Sequence, residues 1–233
     1  MMGERLGQVL VVTIRLGDFA LSFNLVTVLV SWIVMLILIL GALLLRRGLR
    51  PPEEEPTRRQ AMLEMVIGAF QRQLGGFFRS PEMALRLFPI VTTIFLFVLL
   101  SNWISIIPGL SSPTADLNVT LSLGLMVFFL SHYYGMRRKG PLNYAKEFIE
   151  PKTLFPLSLF LNLAGEMAKP ISHSFRLFGN VLGGGILAAV ISSFIPIIFP
   201  ALVHGFYDLF IGTVQAFIFA LLAMAYIGIA VEG

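Results

Sequence analysis

Five apolar stretches, each close to or above the length of a membrane-spanning helix, constrain the fold of this chain more than any other feature. They occupy residues 24–45, 88–107, 117–135, 154–195 and 201–231 of a chain of 233 residues. A membrane-spanning helix needs about 20 apolar residues, and a segment in lipid must satisfy its own backbone hydrogen bonds. Only 13% of the residues are charged, against about 25% in an ordinary soluble domain. We therefore predict an all-α membrane protein with five transmembrane helices.

The fourth stretch is too long for one perpendicular crossing, because about 40 residues at about 1.5 Å each would reach roughly 60 Å. Pro196 and Pro200 mark a break before the fifth stretch, so we expect the last two helices to form an antiparallel hairpin. Residues 60–80 are too polar to cross a bilayer and place their apolar residues on one stripe, which predicts an interfacial amphipathic helix. Residues 1–23 lack the features of a signal peptide and are expected to form an outer N-terminal segment.

Lysine and arginine residues cluster between residues 46 and 86 and again between residues 137 and 152, with eight and five of the seventeen in these two regions. The positive-inside rule places both clusters on the cytoplasmic side. Under this topology the N-terminus lies outside and the C-terminus lies in the cytoplasm. The net charge of +4 therefore reflects membrane orientation, and we predict no nucleic-acid partner.

Cysteine is absent, which excludes disulfides and thiolate metal sites, and we predict no metal or cofactor. The stretch GNVLGGGIL at residues 179–187 is rich in glycine, as nucleotide-binding loops are, but no GK[ST] sequence follows it. We therefore predict no nucleotide site. Glycines in a membrane helix allow close helix approach or leave room for water and neighbouring side chains.

A polar stripe runs through the fourth apolar stretch in the sequence EMAKPISHSFRLFGN, residues 166–180. Its members are spaced by 3, 4, 3 and 4 residues, which keeps them on one helical face: Glu166, Lys169, His173, Arg176 and Asn180. An arginine at the centre of a membrane helix costs about 2.5–3.5 kcal/mol on insertion scales, and its guanidinium group stays protonated. Neither Glu166 nor Asp208 is an obvious direct partner for Arg176. We therefore predict that another subunit supplies an acidic partner for Arg176, at an interface where charge is transferred.

The same residues resemble a known family. FRLFGN followed by the glycine-rich stretch, QAFIFALLAMAY at 215–226, and the upstream segments SPTADLNVTLSLGLMVFF and SHYYGMRRKG resemble subunit a of the F-type ATP synthase. The resemblance covers nearly the whole chain from about residue 20. It implies a membrane stator subunit of the bacterial plasma membrane that has no catalytic site of its own. Its implied partners are a rotating ring of c subunits with mid-membrane carboxylates, the peripheral-stalk b subunits and membrane lipid.

The resemblance also implies a mechanism. Protons, or Na⁺ in some members, enter through one aqueous half-channel, neutralise a ring carboxylate and leave through a second half-channel after the ring turns. The essential arginine of the family corresponds to Arg176, and its conserved Asn and Gln correspond to Asn180 and Gln215. Arg176 would favour the ionised form of a passing carboxyl group and would separate the half-channels. The last two helices would form a strongly tilted hairpin against the ring, which fits the long fourth stretch into a hydrocarbon core of about 30 Å.

The predicted topology divides the remaining polar residues between two paths. Glu166 and Lys169 lie toward the cytoplasm and would line the inner half-channel. The outer half-channel would be lined by Asn180, outward of Arg176, and by His204 and Asp208 in the fifth stretch. It could be completed by polar residues near the outer ends of their helices: Asn102, Ser105, Asp116 and Asn118. Two positions depart from the family pattern. Many relatives carry a titratable residue where this chain has Gly185, and some carry one where it has Ser105. The outer path is therefore predicted to depend on Asp208, with water beside Gly185.

Several of these residues have a purely structural alternative. Asn180 and Gln215 could be interhelical hydrogen-bonding amides, and Asp116 could be a helix N-cap. Lys169 could mark a helix face at the inner water boundary, and His173 could be a hydrogen-bonded bystander rather than a tuner of Arg176. Two other functions also remain open, a self-contained secondary transporter and a structural membrane anchor. We predict ion translocation coupled to rotation, with H⁺ favoured and Na⁺ left open.

Overall fold

The computed structural model describes residues 11–16, 19–51, 54–78, 80–107, 110–151, 155–194, 202–203 and 205–232. The predicted break at Pro196 and Pro200 and the candidate His204 lie outside these residues. The strands are β1 (Val11–Leu16) and β2 (Phe19–Asn24). The helices are α1 (Leu25–Arg46), α2 (Arg58–Gly75), α3 (Pro81–Trp103), α4 (Leu117–Lys139), α5 (Pro141–Glu147), α6 (Leu157–Phe194) and α7 (Gly212–Glu232), and a π-helical segment (Gly205–Ile211) leads into α7.

Five helical spans among the described residues are long and apolar enough to cross a membrane, which confirms the predicted fold class. They are Leu25–Arg46, Pro81–Ile106, Leu117–Lys139, Leu157–Ile191 and Gly205–Glu232. The second span begins at Pro81 rather than at residue 88, because a proline at the first helical position followed by Glu82 makes a favourable helix start. α2 is not among these spans; its Met62, Met65 and Val66 side chains are exposed.

An antiparallel hairpin precedes α1 and was not predicted from the sequence. β1 and β2 pair with Val11 opposite Asn24 and Leu16 opposite Phe19. The end of β2 also starts α1, because the side chain of Asn24 accepts hydrogen bonds from the backbone N–H groups of Val26 and Thr27. The last residue of the hairpin, Asn24, is thus also the N-cap of the first transmembrane helix.

The core of the bundle lies around α7, against which both α3 and α4 pack, and α4 also packs along α6. One cluster of buried residues includes Leu87, Met224 and Ile227. A second includes Val127, Leu177 and Phe219 and joins α4, α6 and α7. Antiparallel packing gives the bundle two ends. We call the end that carries Arg137–Lys139 and Glu232 the basic end, and the end that carries Trp103 and Gly212 the opposite end.

Close contact between α4 and α6 depends on Gly124, and this contact gives a stability prediction. A Cβ atom at Gly124 would lie 2.9 Å from the carbonyl oxygen of Pro170 and would clash with the Ser174 hydroxyl. We expect Gly124→Ala to lower the free energy of unfolding by about 1–3 kcal/mol, the usual effect of overpacking. Gly41→Ala is the matched control, because no atom lies within 4 Å of the added Cβ. Thermal unfolding of the purified protein measures both; equal stability of the two variants would contradict the close contact.

Candidate functional site

The polar stripe of α6 lies along the border between its buried and exposed faces. His173 is 1% exposed, Arg176 is exposed, and Glu166, Lys169 and Asn180 are half-buried. The helical spacing therefore brings the five residues onto neighbouring positions, as predicted, but they do not share one environment. The packing of α7 against α6 covers His173 and leaves Arg176 on the outside of the chain.

Arg176 stands at the edge of the outer face of α6, which is mostly apolar but also carries exposed Ser172 one turn earlier. Within the described part of the chain it forms no hydrogen bond and no ion pair. Ile171 and Phe175 on the same face are about half exposed, at 48% and 51%. Gly179 and Gly183 continue this face, and a Cβ atom at either position would meet no atom within 4 Å. Arg176 is therefore a permanent cation beside a mostly apolar surface, on which glycine leaves open space at two successive turns.

A polar cluster lies at the basic end, about two to three turns before Arg176. Lys169 Nζ lies 2.5 Å from Glu166 Oε1, and His132 Nε2 lies 4.0 Å from Glu166 Oε2. The ammonium group of Lys169 is also 5.8 Å from the ring centre of Tyr226, a distance at which a cation is attracted to an aromatic face. The structure thus brings the two residues predicted for the inner path together. It also brings His132 of α4 to this cluster, which could not be predicted from the spacing of polar residues in α6.

A cavity of about 370 Å³ opens beside this cluster. Its polar lining comes from α5, the segment that follows it and the first half of α6: Tyr144, Glu147, Glu150, Asn162, Glu166 and Lys169. Burial, and after it the negative charges of Glu166 and Glu147, raise the pKa of the Tyr144 phenol to about 12. Tyr144 therefore keeps its proton at neutral pH, so it can donate a hydrogen bond into the cavity but does not exchange a proton there.

His173 and Gln215 lie at the interface of α6 and α7. The ring centre of His173 is 3.7 Å from that of Phe219 and 5.6 Å from that of Tyr226. Among the described residues, neither ring nitrogen of His173 has a hydrogen-bond partner, and the same holds for Nε2 of Gln215. Buried polar atoms without partners are rare in folded proteins. If His173 were a hydrogen-bonded bystander, its ring would bond to neighbouring groups. It forms no such bond with the described residues.

A second, smaller cavity lies at the opposite end, four residues beyond Arg176 along α6. Its volume is about 10 Å³, which is room for about one water molecule. Three of the predicted outer residues meet at this cavity, Asn102, Asn180 and Asp208, and Tyr207 and Gly212 complete its polar and backbone lining. Asp208 is half-buried in the π-helical segment. π-Helical turns are rare in proteins, and those that occur are often at functional sites.

The other predicted outer residues have structural hydrogen bonds or open surroundings. Ser105 donates its hydroxyl to the carbonyl of Asn102 at 2.6 Å. Asp116 is the N-cap of α4 and accepts a hydrogen bond from the backbone N–H of Asn118 at 2.9 Å, as its structural alternative predicts. Gly185 is exposed, with no atom within 4 Å of an added Cβ. Among the described residues, no three His, Asp or Glu side chains come together as possible ligands of a metal ion.

The arrangement is therefore two separate polar cavities with Arg176 between them. Glu166 and Lys169 mark the cavity at the basic end, and Asn180 and Asp208 mark the one at the opposite end. Along α6, Arg176 lies about 10 Å from the level of Lys169 and about 6 Å from that of Asn180, at about 1.5 Å per residue. Fully buried Leu177 lies at the level of Arg176. The two cavities share none of the described residues that line them.

Comparison with known proteins gives a consistent result. The profile of the family described as ATP synthase A chain matches residues 28–228. "ATP synthase subunit a 1" of Crocosphaera subtropica is 36% identical over 203 residues, covering 86% of this chain and 84% of that protein. "ATP synthase subunit a" of Nitrosospira multiformis is 35% identical, covering 88% and 78%. "ATP synthase subunit a, sodium ion specific" of Propionigenium modestum is 36% identical, covering 87% and 72%.

Proposed function

Because this chain belongs to the ATP synthase subunit a family, whose profile matches residues 28–228, we propose that it translocates H⁺ through two half-channels separated by Arg176. It is an integral membrane protein with five apolar spans among its described residues, and membership of the family makes it an ion-translocating stator subunit. Beyond family membership, we propose the routes of the two half-channels and H⁺ as the transported ion. One observation carries it: an exposed cation without a described partner lies between two polar cavities at opposite ends of the bundle.

The proposed partner of Arg176 is a carboxylate on a ring of c subunits that turns against the outer face of α6. The apolar side chains of this face suit contact with a membrane-embedded ring. Gly179 and Gly183 leave room for the ring to approach. The uncovered guanidinium group would meet a carboxylate without first breaking a bond within its own chain. Further proposed partners are the peripheral-stalk b subunits and membrane lipid; we propose no nucleotide site and no catalytic site on this chain.

The proposed outer path enters at the opposite end through the cavity shared by Asn180 and Asp208. A carboxylate beside an amide in a space for about one water can pass a proton to a ring carboxylate that stands at that level of α6. A ring carboxylate that reaches Arg176 is then stabilised in its ionised form by the nearby positive charge. Because the guanidinium group does not give up its own proton, it cannot relay protons from one cavity to the other.

The proposed inner path leaves through the larger cavity at the basic end. Glu166, paired with Lys169 and close to His132, offers a carboxylate to a proton released from the ring. Tyr144 remains a hydrogen-bond donor at its edge. This assignment places the basic end in the cytoplasm, as the positive-inside rule predicts, and the N-terminus outside, in a bacterial plasma membrane.

The function is tested with the assembled ATP synthase in liposomes. An imposed proton gradient in sodium-free buffer is expected to drive ATP synthesis, and ATP hydrolysis is expected to pump protons. One relative is named sodium ion specific, so an imposed sodium gradient forms the second arm. Synthesis that requires Na⁺ would overturn the ion assignment alone. Proton flux through the purified chain without a ring would favour a self-contained transporter and would overturn the proposal.

A further inference from the structure

Two consecutive residues of α3 donate hydrogen bonds to two consecutive residues at the start of α7. Asn102 Nδ2 donates to the carbonyl oxygen of Gly212 at 3.0 Å, and Trp103 Nε1 donates to the hydroxyl oxygen of Thr213 at 3.0 Å. The Thr213 hydroxyl in turn donates to the carbonyl oxygen of Leu209, inside the π-helical segment. We call Asn102, Trp103, Gly212 and Thr213 the junction brace.

The junction brace lies where the backbone changes from π-helical to α-helical geometry. π-Helical turns are rare and usually limited to one turn, so a segment of seven residues needs support from its surroundings. A side chain that bonds into the backbone ladder is one recognised way to disturb regular α-helical pairing. The contact is also specific to glycine, because a Cβ atom at Gly212 would lie 2.9 Å from Cβ of Asn102.

Asn102 is itself held in place from the other side. Its Oδ1 atom accepts a hydrogen bond from the Thr114 hydroxyl at 2.6 Å, and the Ser112 and Thr114 hydroxyls share a hydrogen bond of 2.6 Å. Asn102 and Thr114 are 2% and 0% exposed. Through Asn102 the brace therefore connects α7 to a buried site formed by α3 and the turn before α4, whereas Trp103, which is 38% exposed, bonds to Thr213 at the surface.

The brace lies next to the residue on which the proposed outer path depends. Asp208 precedes Gly212 by four residues, and both line the small cavity with Asn102 and Asn180. If the segment returned to α-helical geometry, every residue before Gly212 would rotate about the helix axis. The carboxyl group of Asp208 would then turn away from Asn180.

We propose that Trp103 and Thr213, together with Asn102, are positioning residues of the outer ion path. Their hydrogen bonds hold the π-helical segment in register and so keep Asp208 at the cavity that it shares with Asn180. This inference rests on the proposed function, in which the outer path passes Asp208. It adds two residues, Trp103 and Thr213, that neither the motif spacing nor the cavity lining selects.

The test uses the assembled ATP synthase in liposomes and measures ATP synthesis against the ion concentration on the entry side. Thr213→Val keeps the shape of the side chain but removes both hydrogen bonds of its hydroxyl, and Trp103→Phe removes one donor. Each is expected to raise the half-saturating ion concentration about 2- to 10-fold, the range of one neutral hydrogen bond. The maximal rate should change less than the half-saturating concentration, and Thr213→Ser should restore wild-type behaviour.

Thr93→Val is the matched control, because the exposed Thr93 hydroxyl bonds only to the carbonyl of Pro89 at 2.8 Å, in the same helix. It is expected to leave the half-saturating concentration unchanged. The double variant Trp103→Phe/Thr213→Val should be no worse than Thr213→Val, because both changes remove one shared bond. A lower yield of assembled complex with an unchanged half-saturating concentration would show a purely structural role and would overturn the inference.

Asp208→Asn separates failure of this inference from failure of the proposed function. If Asp208→Asn impairs synthesis while Trp103→Phe and Thr213→Val behave as wild type, the brace does not position Asp208 and only the inference fails. If Asp208→Asn leaves synthesis normal, the outer path does not use this carboxyl group, and both the path and the inference fail.

Discussion

Arg176→Gln is expected to abolish ATP synthesis driven by an ion gradient while the complex still assembles. Glutamine keeps a polar, although shorter, side chain and removes the only charge that the described residues place on the outer face of α6 around Gly179 and Gly183. Without that charge, the nearest cation on α6 would be Lys169, about 10 Å away along the helix, too far to favour the ionised form of a passing ring carboxylate. Synthesis in liposomes should fall to background, and the amount of assembled complex, measured by native electrophoresis, should match the wild type because no described bond is lost.

Arg176→Lys tests whether charge alone is sufficient. Lysine carries the same charge on a more compact head, but it loses its proton more readily in a dehydrated site. We expect impaired synthesis accompanied by a passive proton leak. Arg138→Gln, at an exposed position of the basic end, serves as the control for removal of one arginine charge and should synthesise ATP normally. Normal, leak-free synthesis by Arg176→Lys would be inconsistent with the role given to the guanidinium group.

Asp208→Asn is expected to have the second-largest effect. The change preserves the shape of the side chain but removes the only carboxylate among the described residues that line the cavity with Asn102 and Asn180. We expect proton-driven synthesis to fall about 10²-fold, the low end of what a positioned proton-transferring side chain contributes. The rate should be measured at several values of pH on the entry side.

Glu82→Gln is the control for loss of a carboxylate, because the Glu82 side chain is 86% exposed at the basic end and forms only an ion pair of 3.6 Å with Arg86. It should leave synthesis unchanged. Near-normal proton-driven synthesis by Asp208→Asn would place the outer path elsewhere, and exposed Gly185, with the open space beside it, would become the next region to examine.

The helices could be predicted from the sequence because one strong physical signal determines them. Apolar stretches of about 20 residues have few alternatives in lipid, and the five predicted spans correspond to five observed ones. The hairpin of β1 and β2 was missed because two strands of six residues give a weak local signal. The π-helical segment was missed because its geometry is supported by Asn102 and Trp103, about 110 residues earlier in the chain.

Most residues of the site could be predicted from the sequence, but the directions in which their side chains point could not. Helical spacing placed His173 and Arg176 on neighbouring positions, but only the position of Phe219 shows that His173 points into the bundle. His132 and Tyr144 were missed because each comes from an element other than α6 and meets Glu166 only after folding. The N-cap alternative for Asp116 could be predicted because a cap depends only on adjacent residues, such as Asn118.

The central claim is that the negative partner of Arg176 lies on a moving neighbour. The most direct test is a structure of the assembled complex in which the distance from the Arg176 guanidinium group to the nearest ring carboxylate is measured. We predict a separation of about 4–6 Å or less, the range in which an opposite charge favours ionisation, in at least one rotational state. A guanidinium group that faces only lipid in every state, or that is bonded wholly within its own chain, would contradict the account.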